Sequence, residues 1–365
     1  MAAALKDRYT RAYIARLAQT VARHDATFDA AAFELCVLGR GWRGLELKAR
    51  MRRIAQCLHA GIAGDYRRQI AVLMRAAPAF HAGEDSFFAM FFPDFVEVYG
   101  LEDFDLSVKA LERFTQLSSS EFAVRPFLIR HGERMLKVFA RWSRHRNEHV
   151  RRLSSEGLRP RLPLAMALPA FKRDPAPILP ILVSLFNDPS EYVRRSVANN
   201  LNDIAKDHPK IVLDVAEEHV GRSENTDRLL RHACRTLLKR GDARALRLFG
   251  HDQSAPVAVA KFQLGAKRIA IGDHLTFSFT VTAAQDSRAR IEYAIDFVKS
   301  RGQTSRKVFK IAERDLIAGT PVTFERSHRF RDFTTRTHYP GKHRIAVVVN
   351  GVERDALSVQ LAAPR

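Results

Sequence analysis

Two hydrophobic periods divide the chain into a helical part and a strand part. Up to about residue 250, apolar residues recur every three or four positions, which is the spacing of amphipathic helices. Residues 192–207 show it most clearly, with an apolar face formed by Val193, Val197, Leu201 and Ile204. An Asp-Pro-Ser start at 188–190 and a His-Pro stop at 208–209 bound this predicted helix.

After Gly250 the period changes to two. Leu275, Phe277, Phe279 and Val281 alternate with threonine and serine, and the same alternation recurs at 291–297 and 343–349. Turn-forming glycines separate these runs, as at Asn350-Gly351. We expect about seven strands in an immunoglobulin-like sandwich. Because this half contains no cysteine, it folds without an inter-sheet disulfide.

The helical part contains a repeat. EHVRRLSSEGL at 148–158 aligns with EYVRRSVANNL at 191–201, an offset of 43 residues, and a looser third copy lies at 230–238. A helical repeat of about 40–47 residues is typical of HEAT-type solenoids. The alternative is a non-repetitive helical domain with a chance match. The sequence therefore predicts a multidomain protein: an all-α HEAT-like solenoid over residues 1–253, a linker near 251–256, and an all-β immunoglobulin-like sandwich over 257–365.

Length and cysteine content limit the class of protein. The 365 residues suit about two domains. No apolar run could span a bilayer, and residues 1–6 lack the apolar stretch of a signal peptide, so we expect a cytoplasmic protein without a membrane partner. Cys36, Cys57 and Cys234 lie far apart, with neither zinc spacing nor a disulfide framework. They predict a reducing compartment and no structural metal.

The charge is basic and unevenly distributed. The formal net charge is +20, and residues 125–161 contain eleven Lys or Arg but only three acids, Glu133, Glu148 and Glu156. Such a stretch favours a polyanionic partner, of which nucleic acid is the commonest. The alternative explanation of the high net charge is that the proteins of the source organism are generally basic. An acid inside this stretch weakens phosphate binding, which makes Glu156 a candidate for chemistry.

Two glutamates are candidate catalytic residues, each with a plain alternative. Glu156 follows Arg152 by one helical turn, and an exposed Arg–Glu pair there is worth only a few tenths of a kcal/mol. A helix end at Gly157 would place the acid where the helix dipole disfavours it, and the glycine itself can mark close approach to a ligand. Glu121 follows serines at 118–120, which is also ordinary helix-start chemistry.

Other candidates concern binding. Trp142, between Arg141 and Arg144, could stack on a cationic base or belong to the core. The phenylalanines at 87, 88, 91, 92 and 95 are expected to be buried. Basic, hydroxyl-rich loops at 299–307 and 326–336 suit phosphate contacts or form a solvated rim. No P-loop, GxGxxG turn or histidine ligand pair is present, so phosphoryl transfer and dinucleotide redox chemistry have no support.

Several motifs together resemble a known family. They are FPDFVEVYG at 92–100, SSEFAVRPF at 119–127, NEHVRR at 147–152 and SEGLRPRLP at 155–163. These stretches resemble the AlkC branch of the HEAT-like alkylpurine DNA glycosylases, relatives of AlkD. YPGKHR at 339–344 and VNG at 349–351 resemble the immunoglobulin-like domain that some bacterial members carry. The likeness covers nearly the whole chain.

The resemblance implies a monofunctional glycosylase that removes 3-methyladenine or 3-methylcytosine without a metal or cofactor. Glu121 and Glu156 match its catalytic pair. The family pattern leads us to expect an aromatic residue after Pro163, where this chain has Leu164, and Trp142 becomes the candidate for facing a shallowly bound lesion. Contacts to double-stranded DNA with alkylated bases are expected from Trp142, Arg152, Arg159, Arg161, Arg195, Arg306 and Arg336.

The sequence leaves two rival functions open. One is a non-catalytic HEAT scaffold that grips nucleic acid through its arginines, in which case Glu121 and Glu156 are replaceable. The other is a protein-interaction scaffold, which predicts apolar rather than basic residues on the concave face. For the glycosylase we expect a monomer without an obligate protein partner, in the bacterial cytoplasm.

Overall fold

Helices form the first part of the chain. The structure, a computed structural model, describes residues 5–80, 85–332 and 337–364. None of its helices is long and apolar enough to cross a membrane, as far as the described residues go. The α-helices are α1 Arg11–Ala22, α2 Ala30–Leu38, α3 Leu47–Gly61, α4 Tyr66–Ala76, α5 Asp85–Phe88, α6 Phe91–Tyr99, α7 Phe104–Thr115, α8 Val124–Trp142, α9 Glu148–Glu156, α10 Pro169–Arg173, α11 Leu179–Val183, α12 Glu191–Ile204, α13 Pro209–His219, α14 Glu224–Ala233, α15 Arg235–Arg240 and α16 Ala243–Leu248. Short 3₁₀ turns lie at Leu5–Arg8, Trp42–Gly44, Ala77–Phe80 and Ala176–Ile178.

The sequence repeat corresponds to stacked helices. The two aligned segments form α9 and α12, which pack against each other, and α14 packs against α12. Each segment buries the apolar positions that the two copies share, Val150 and Leu158 in the first and Val193 and Leu201 in the second. The looser third copy at 230–238 does not lie within one helix, because α14 ends at Ala233 and α15 begins at Arg235. A third repeat in this part of the chain stays a prediction.

The strands form two facing sheets. They are β1 Val257–Leu264, β2 Arg268–Ala270, β3 His274–Ala283, β4 Ser287–Val298, β5 Thr304–Leu316, β6 Val322–Arg329, β7 Gly341–Val349 and β8 Val352–Ala362. One sheet has the order β1-β3-β6 and the other β2-β8-β7-β4-β5. The period-two runs correspond to β3, β4 and β7. Asn350 and Gly351 both have positive φ, as the tight β7–β8 turn requires. The predicted solenoid followed by a sandwich is confirmed.

Packing divides the chain into two compact units. One comprises Met1–Asp207 and Val220–Ala233, and the other His208–His219 and Cys234–Arg365. In the second unit α15 packs on β5, and a Cβ on Gly351 would lie 2.8 Å from Gly241 Cα. Helices α13, α15 and α16 thus belong with the sandwich by packing. The division of function at residues 253–257 stays a prediction.

The prediction that the cysteines form no disulfide was wrong. Cys36 in α2 and Cys57 in α3 form a disulfide, with their Cα atoms 6.0 Å apart. The spacing of the two cysteines in the sequence does not predict this bond, because they come together only where α2 packs against α3. Cys234 is a buried free thiol, and burial raises its pKa to about 12.

Candidate active site

The end of α9 is fixed by close packing against α8. Asn147 caps the start of α9 by accepting from the His149 N–H at 2.9 Å, and Gly157 follows its last residue. A Cβ on Gly157 would lie 2.7 Å from Val124 Cγ2 and 3.0 Å from Phe139 Cε1. The glycine is therefore required by the approach of α8. The expectation that it marks the approach of a ligand is corrected.

Glu156 is buried and held by several donors. Only 5% of the residue is exposed. Its Oε1 accepts from Arg159 Nη1 at 2.7 Å and lies 3.5 Å from Arg152 Nη2, while its Oε2 accepts from Ser196 Oγ at 2.6 Å. An exposed Arg–Glu surface pair does not describe this residue. The carboxylate has one orientation, set by α9 and α12 together.

Glu121 lies in a turn before α8 and does not cap it. Ala123 occupies the N-cap position without a side-chain bond, and Ser120 Oγ donates to the Leu111 carbonyl instead. Glu121 Oε2 accepts from Ser119 Oγ at 2.7 Å and from Arg152 Nη1 at 2.6 Å. The arrangement holds this carboxylate toward α9 rather than toward the backbone of α8.

Arg152 connects the two glutamates. Its guanidinium reaches Glu121 through Nη1 and Glu156 through Nη2, and lies 5.1 Å from the ring centroid of Tyr192. Burial alone would lower the pKa of Arg152, but Glu156 and Glu121 outweigh it and the pKa is raised. The same residue therefore positions both carboxylates.

A third carboxylate extends the cluster. Arg159 donates to Asp203 Oδ2 at 2.9 Å as well as to Glu156, and Lys206 donates to Asp203 Oδ1 at 2.9 Å. Burial opposes the charge of Arg159, yet Glu156 and Asp203 raise its pKa. Asp203 is 2% exposed and was not predicted as a site residue. Its position on the polar face of the repeat helix was the available signal.

Both glutamates line one small cavity. Its volume is ≈ 180 Å³, and we call it the acidic cavity; its walls include Lys48, Glu121, Phe122, Glu156, Arg159 and Leu164. Lys48 Nζ donates to the Leu164 carbonyl at 3.0 Å and lies 4.5 Å from the Phe122 ring centroid. Leu164 has a φ of 61° and is 69% exposed. Nothing in the sequence near Lys48 connected α3 with this site.

Arg125 supports the cavity from inside the protein. Arg125 is one of the eleven basic residues of 125–161 that were expected to attract a polyanion, but its side chain is fully buried. It donates to the carbonyls of Met166 at 2.7 Å, Gly157 at 3.1 Å and Arg159 at 3.0 Å. Burial, together with nearby Arg159, lowers its pKa to about 10. Its apolar context, Val-Arg-Pro-Phe, was the available signal.

The predicted DNA-contacting residues have different surroundings. Trp142 is 0% exposed, and its Nε1 donates to Glu112. Its ring therefore cannot stack on a base, and the expectation that it faces the lesion is corrected.

The predicted arginine contacts also differ from one another. Arg161 pairs with Asp207, whereas Arg195 is exposed on α12. Arg306 is on β5, where Asp296 and Glu353 are its partners, and Arg336 lies outside the described residues.

Comparison with known proteins gives the family. A model of the C-terminal Ig-like domain of uncharacterised protein YhaZ matches residues 258–363, and a HEAT repeat model matches 178–208. The Bacillus subtilis (strain 168) protein YhaZ is 45% identical over 357 residues, covering 98% of this chain and 99% of YhaZ. The solved Pseudomonas fluorescens alkylpurine DNA glycosylase AlkC, bound to DNA containing an abasic site analogue, superposes with a TM-score of 0.95 at 39% identity. That match covers 99% of this chain and 100% of AlkC.

The chain belongs to the AlkC family. The resemblance inferred from the motifs at 119–127 and 155–163 is thereby confirmed. Membership in the AlkC family also accounts for the order of the two folds, since the match to AlkC extends over the helical and the strand parts alike. The roles of Glu121 and Glu156 stay predictions.

Proposed function

We propose that this protein is a DNA glycosylase that hydrolyses the N-glycosidic bond of N3-methylated bases in double-stranded DNA. The observation that carries the proposal is a pair of oriented carboxylates, Glu121 and Glu156, lining one cavity in a family that includes a DNA-bound alkylpurine glycosylase. The candidate substrates are 3-methyladenine and 3-methylcytosine. The protein's own residues supply the chemistry proposed here.

The leaving group explains why carboxylates suffice. A base methylated at N3 is cationic, so it departs without being protonated. As the bond from C1′ to the base nitrogen breaks, both electrons go to the base, and positive charge develops on the sugar. A preorganised carboxylate stabilises that charge more than it stabilises the ground state. Water then adds to C1′ and gives up one proton.

The two glutamates suit different steps. Both oxygens of Glu156 are engaged by Arg159 and Ser196, which fixes the orientation of this carboxylate in the wall of the acidic cavity. Glu121 is more exposed, at 15% of its side chain, and no described residue donates to its Oε1. We assign charge stabilisation to Glu156 and binding of the attacking water to Glu121.

The size of the acidic cavity favours shallow binding. Its ≈ 180 Å³ is below the range of about 300–1,000 Å³ for pockets that bury most of a drug-sized ligand. We therefore propose that the lesion contacts the carboxylates without full insertion. Arg195, exposed one turn from Tyr192 on α12, is a candidate phosphate contact; Arg195→Ala should reduce the slope of log K against log salt by about 1.

The test is release of methylated bases from alkylated duplex DNA, measured by chromatography under single turnover. Glu156→Gln is expected to slow release roughly 10²–10³-fold, and Glu121→Gln by a comparable factor. Glu133→Gln, at an exposed position on α8, is the matched control and should release bases at the wild-type rate. DNA binding by the same proteins separates chemistry from affinity.

Folded wild-type protein that binds DNA but releases neither 3-methyladenine nor 3-methylcytosine would identify a non-catalytic scaffold instead. Equal release by Glu156→Gln and Glu133→Gln would leave the glycosylase standing but remove Glu156 from its mechanism. The ratio of the two released bases gives the substrate preference directly.

A further inference from the structure

A second cavity lies beside the acidic cavity. We call it the serine cavity, and its walls include Phe87, Gln116, Ser118, Ser119, Arg152 and Tyr192. Its volume is ≈ 340 Å³, which falls within the range of about 300–1,000 Å³ for pockets that hold small molecules. Phe87 and Met90 line both cavities, so the two share a wall.

Two exposed aromatic rings form part of the serine cavity. Phe87 is 46% exposed and Tyr192 is 44% exposed, although the sequence predicted Phe87 to be buried with its neighbours. Its neighbour Phe88 is 5% exposed and packs edge-on against it. Exposed rings beside a cavity are the surfaces on which proteins stack a nucleobase.

The polar edge of the serine cavity has unused hydrogen-bonding capacity. Ser118 is 6% exposed, and none of the described residues bonds to its Oγ. A buried hydroxyl without a partner is unfavourable until a ligand supplies one. Gln116 donates through Nε2 to the Glu112 carbonyl at 3.1 Å, which leaves its own carbonyl oxygen as an acceptor. A purine offers both a donor amino group and acceptor ring nitrogens.

The charges of the two cavities differ. Glu121 and Glu156 line the acidic cavity, whereas no carboxylate is found among the described residues that line the serine cavity. Arg152 already lies 5.1 Å from the Tyr192 ring centroid. A second cation on this ring would gain little, because the ring already interacts with one positive charge. The serine cavity therefore favours a neutral aromatic ligand over a cationic one.

We propose that the serine cavity binds the neutral nucleobase after its release, next to the cavity in which the cationic base is cleaved. The inference rests on the proposed glycosylase function. Cleavage leaves both bonding electrons on the base, so the base loses its positive charge and with it the attraction of Glu121 and Glu156. The neighbouring cavity, with no carboxylate and two rings, matches the product.

The test uses two small probes and the whole protein without DNA. 3-Methyladenine is neutral, and 3,9-dimethyladeninium is a permanent cation in which a methyl group replaces the sugar. Equilibrium dialysis should show that both bind wild type together, without competition. Ser118→Ala should weaken 3-methyladenine about three- to tenfold, for one lost hydrogen bond. Leu117 also lines the serine cavity, so Leu117→Trp should fill it and abolish the binding of 3-methyladenine. Glu156→Gln should weaken only the binding of the cation.

Unchanged binding of 3-methyladenine by Ser118→Ala and Leu117→Trp, with melting temperatures checked, would overturn the proposal. So would variants that weaken only the binding of a duplex with an unpaired adenine, because the cavity would then hold a base still attached to DNA. Base release from alkylated DNA is measured in parallel. Release without 3-methyladenine binding removes this inference alone, whereas no release removes the proposed function.

Discussion

Replacing Arg125 by methionine keeps a long side chain but removes the donors to three carbonyl groups. The bond to the Gly157 carbonyl is buried, and leaving that oxygen without a donor costs about 1–3 kcal/mol. The carbonyls of Arg159 and Met166 are only partly buried, so water replaces much of what they lose. The free energy of unfolding should fall by roughly 2–4 kcal/mol from these bonds alone.

The buried charge of Arg125 acts in the opposite direction. Burial lowers its pKa from the ordinary value of an arginine to about 10, so keeping it charged in the folded protein costs about 3 kcal/mol. Methionine removes this cost. Because the two contributions are similar in size, Arg125→Met should change the free energy of unfolding by less than about 2 kcal/mol. Urea unfolding followed by the fluorescence of Trp42 and Trp142, both in the helical unit, measures it.

Catalysis should respond far more than stability. Arg125 fixes the segment from Gly157 to Met166, which carries Arg159 and the Leu164 wall of the acidic cavity. A displacement of about 1 Å in a catalytic arrangement can cost ~10²-fold in rate. Single-turnover base release by Arg125→Met should therefore fall roughly tenfold to a hundredfold.

Arg130→Met is the matched control on the same helix. Arg130 is exposed and pairs with Glu102, so its loss should cost less than about 1 kcal/mol and leave release unchanged. Wild-type release by Arg125→Met would refute the positioning role. A loss of more than about 2 kcal/mol would refute the compensation between charge and hydrogen bonds.

Three further predictions concern packing, pH and the disulfide. Gly157→Ala should destabilise the helical unit by about 1–3 kcal/mol in urea and slow base release, because its Cβ overlaps α8. Burial lowers the pKa of His343, so the unfolded chain binds its proton first; circular dichroism should show the sandwich losing stability as the pH falls below about 6.5. Reduction of the Cys36–Cys57 bond, or Cys36→Ser, should lower the free energy of unfolding by about 3 kcal/mol.

The parts of the fold that could be predicted are those whose signal is local. Helix α12 and strand β3 each carry their own period, because one face of each is buried along its whole length. The repeat was recognisable for the same reason, since α9 and α12 occupy equivalent places in the stack. Glu156 also had a local signal, an acid in a basic stretch. The contacts that hold its carboxylate from both α9 and α12 had no local signal in the sequence.

The rest depends on which elements meet. Trp142 was the candidate for contact with a base, but α8 buries it in the core. Phe87 was expected to be buried, but on α5 it is exposed beside the two cavities. Cys36 and Cys57 are joined only through the packing of α2 on α3. Lys48 reaches the Leu164 carbonyl across 116 positions of sequence. The periodicity of a single segment does not predict contacts between residues that lie far apart in the sequence.

Several arginines of the basic stretch at 125–161 pair with groups inside the folded protein, although the sequence alone suggests that they face a polyanion. Of its arginines, Arg125 is buried against carbonyls, Arg151 is held by Asp188, and Arg152 and Arg159 are held by the carboxylate cluster. These side chains are used inside the protein, so phosphate attraction must come from exposed residues such as Arg195. The same pairing suits the proposed chemistry. Arginines already matched by carboxylates add little net positive charge near a sugar that is itself becoming a cation, so the glutamates can stabilise it at short range.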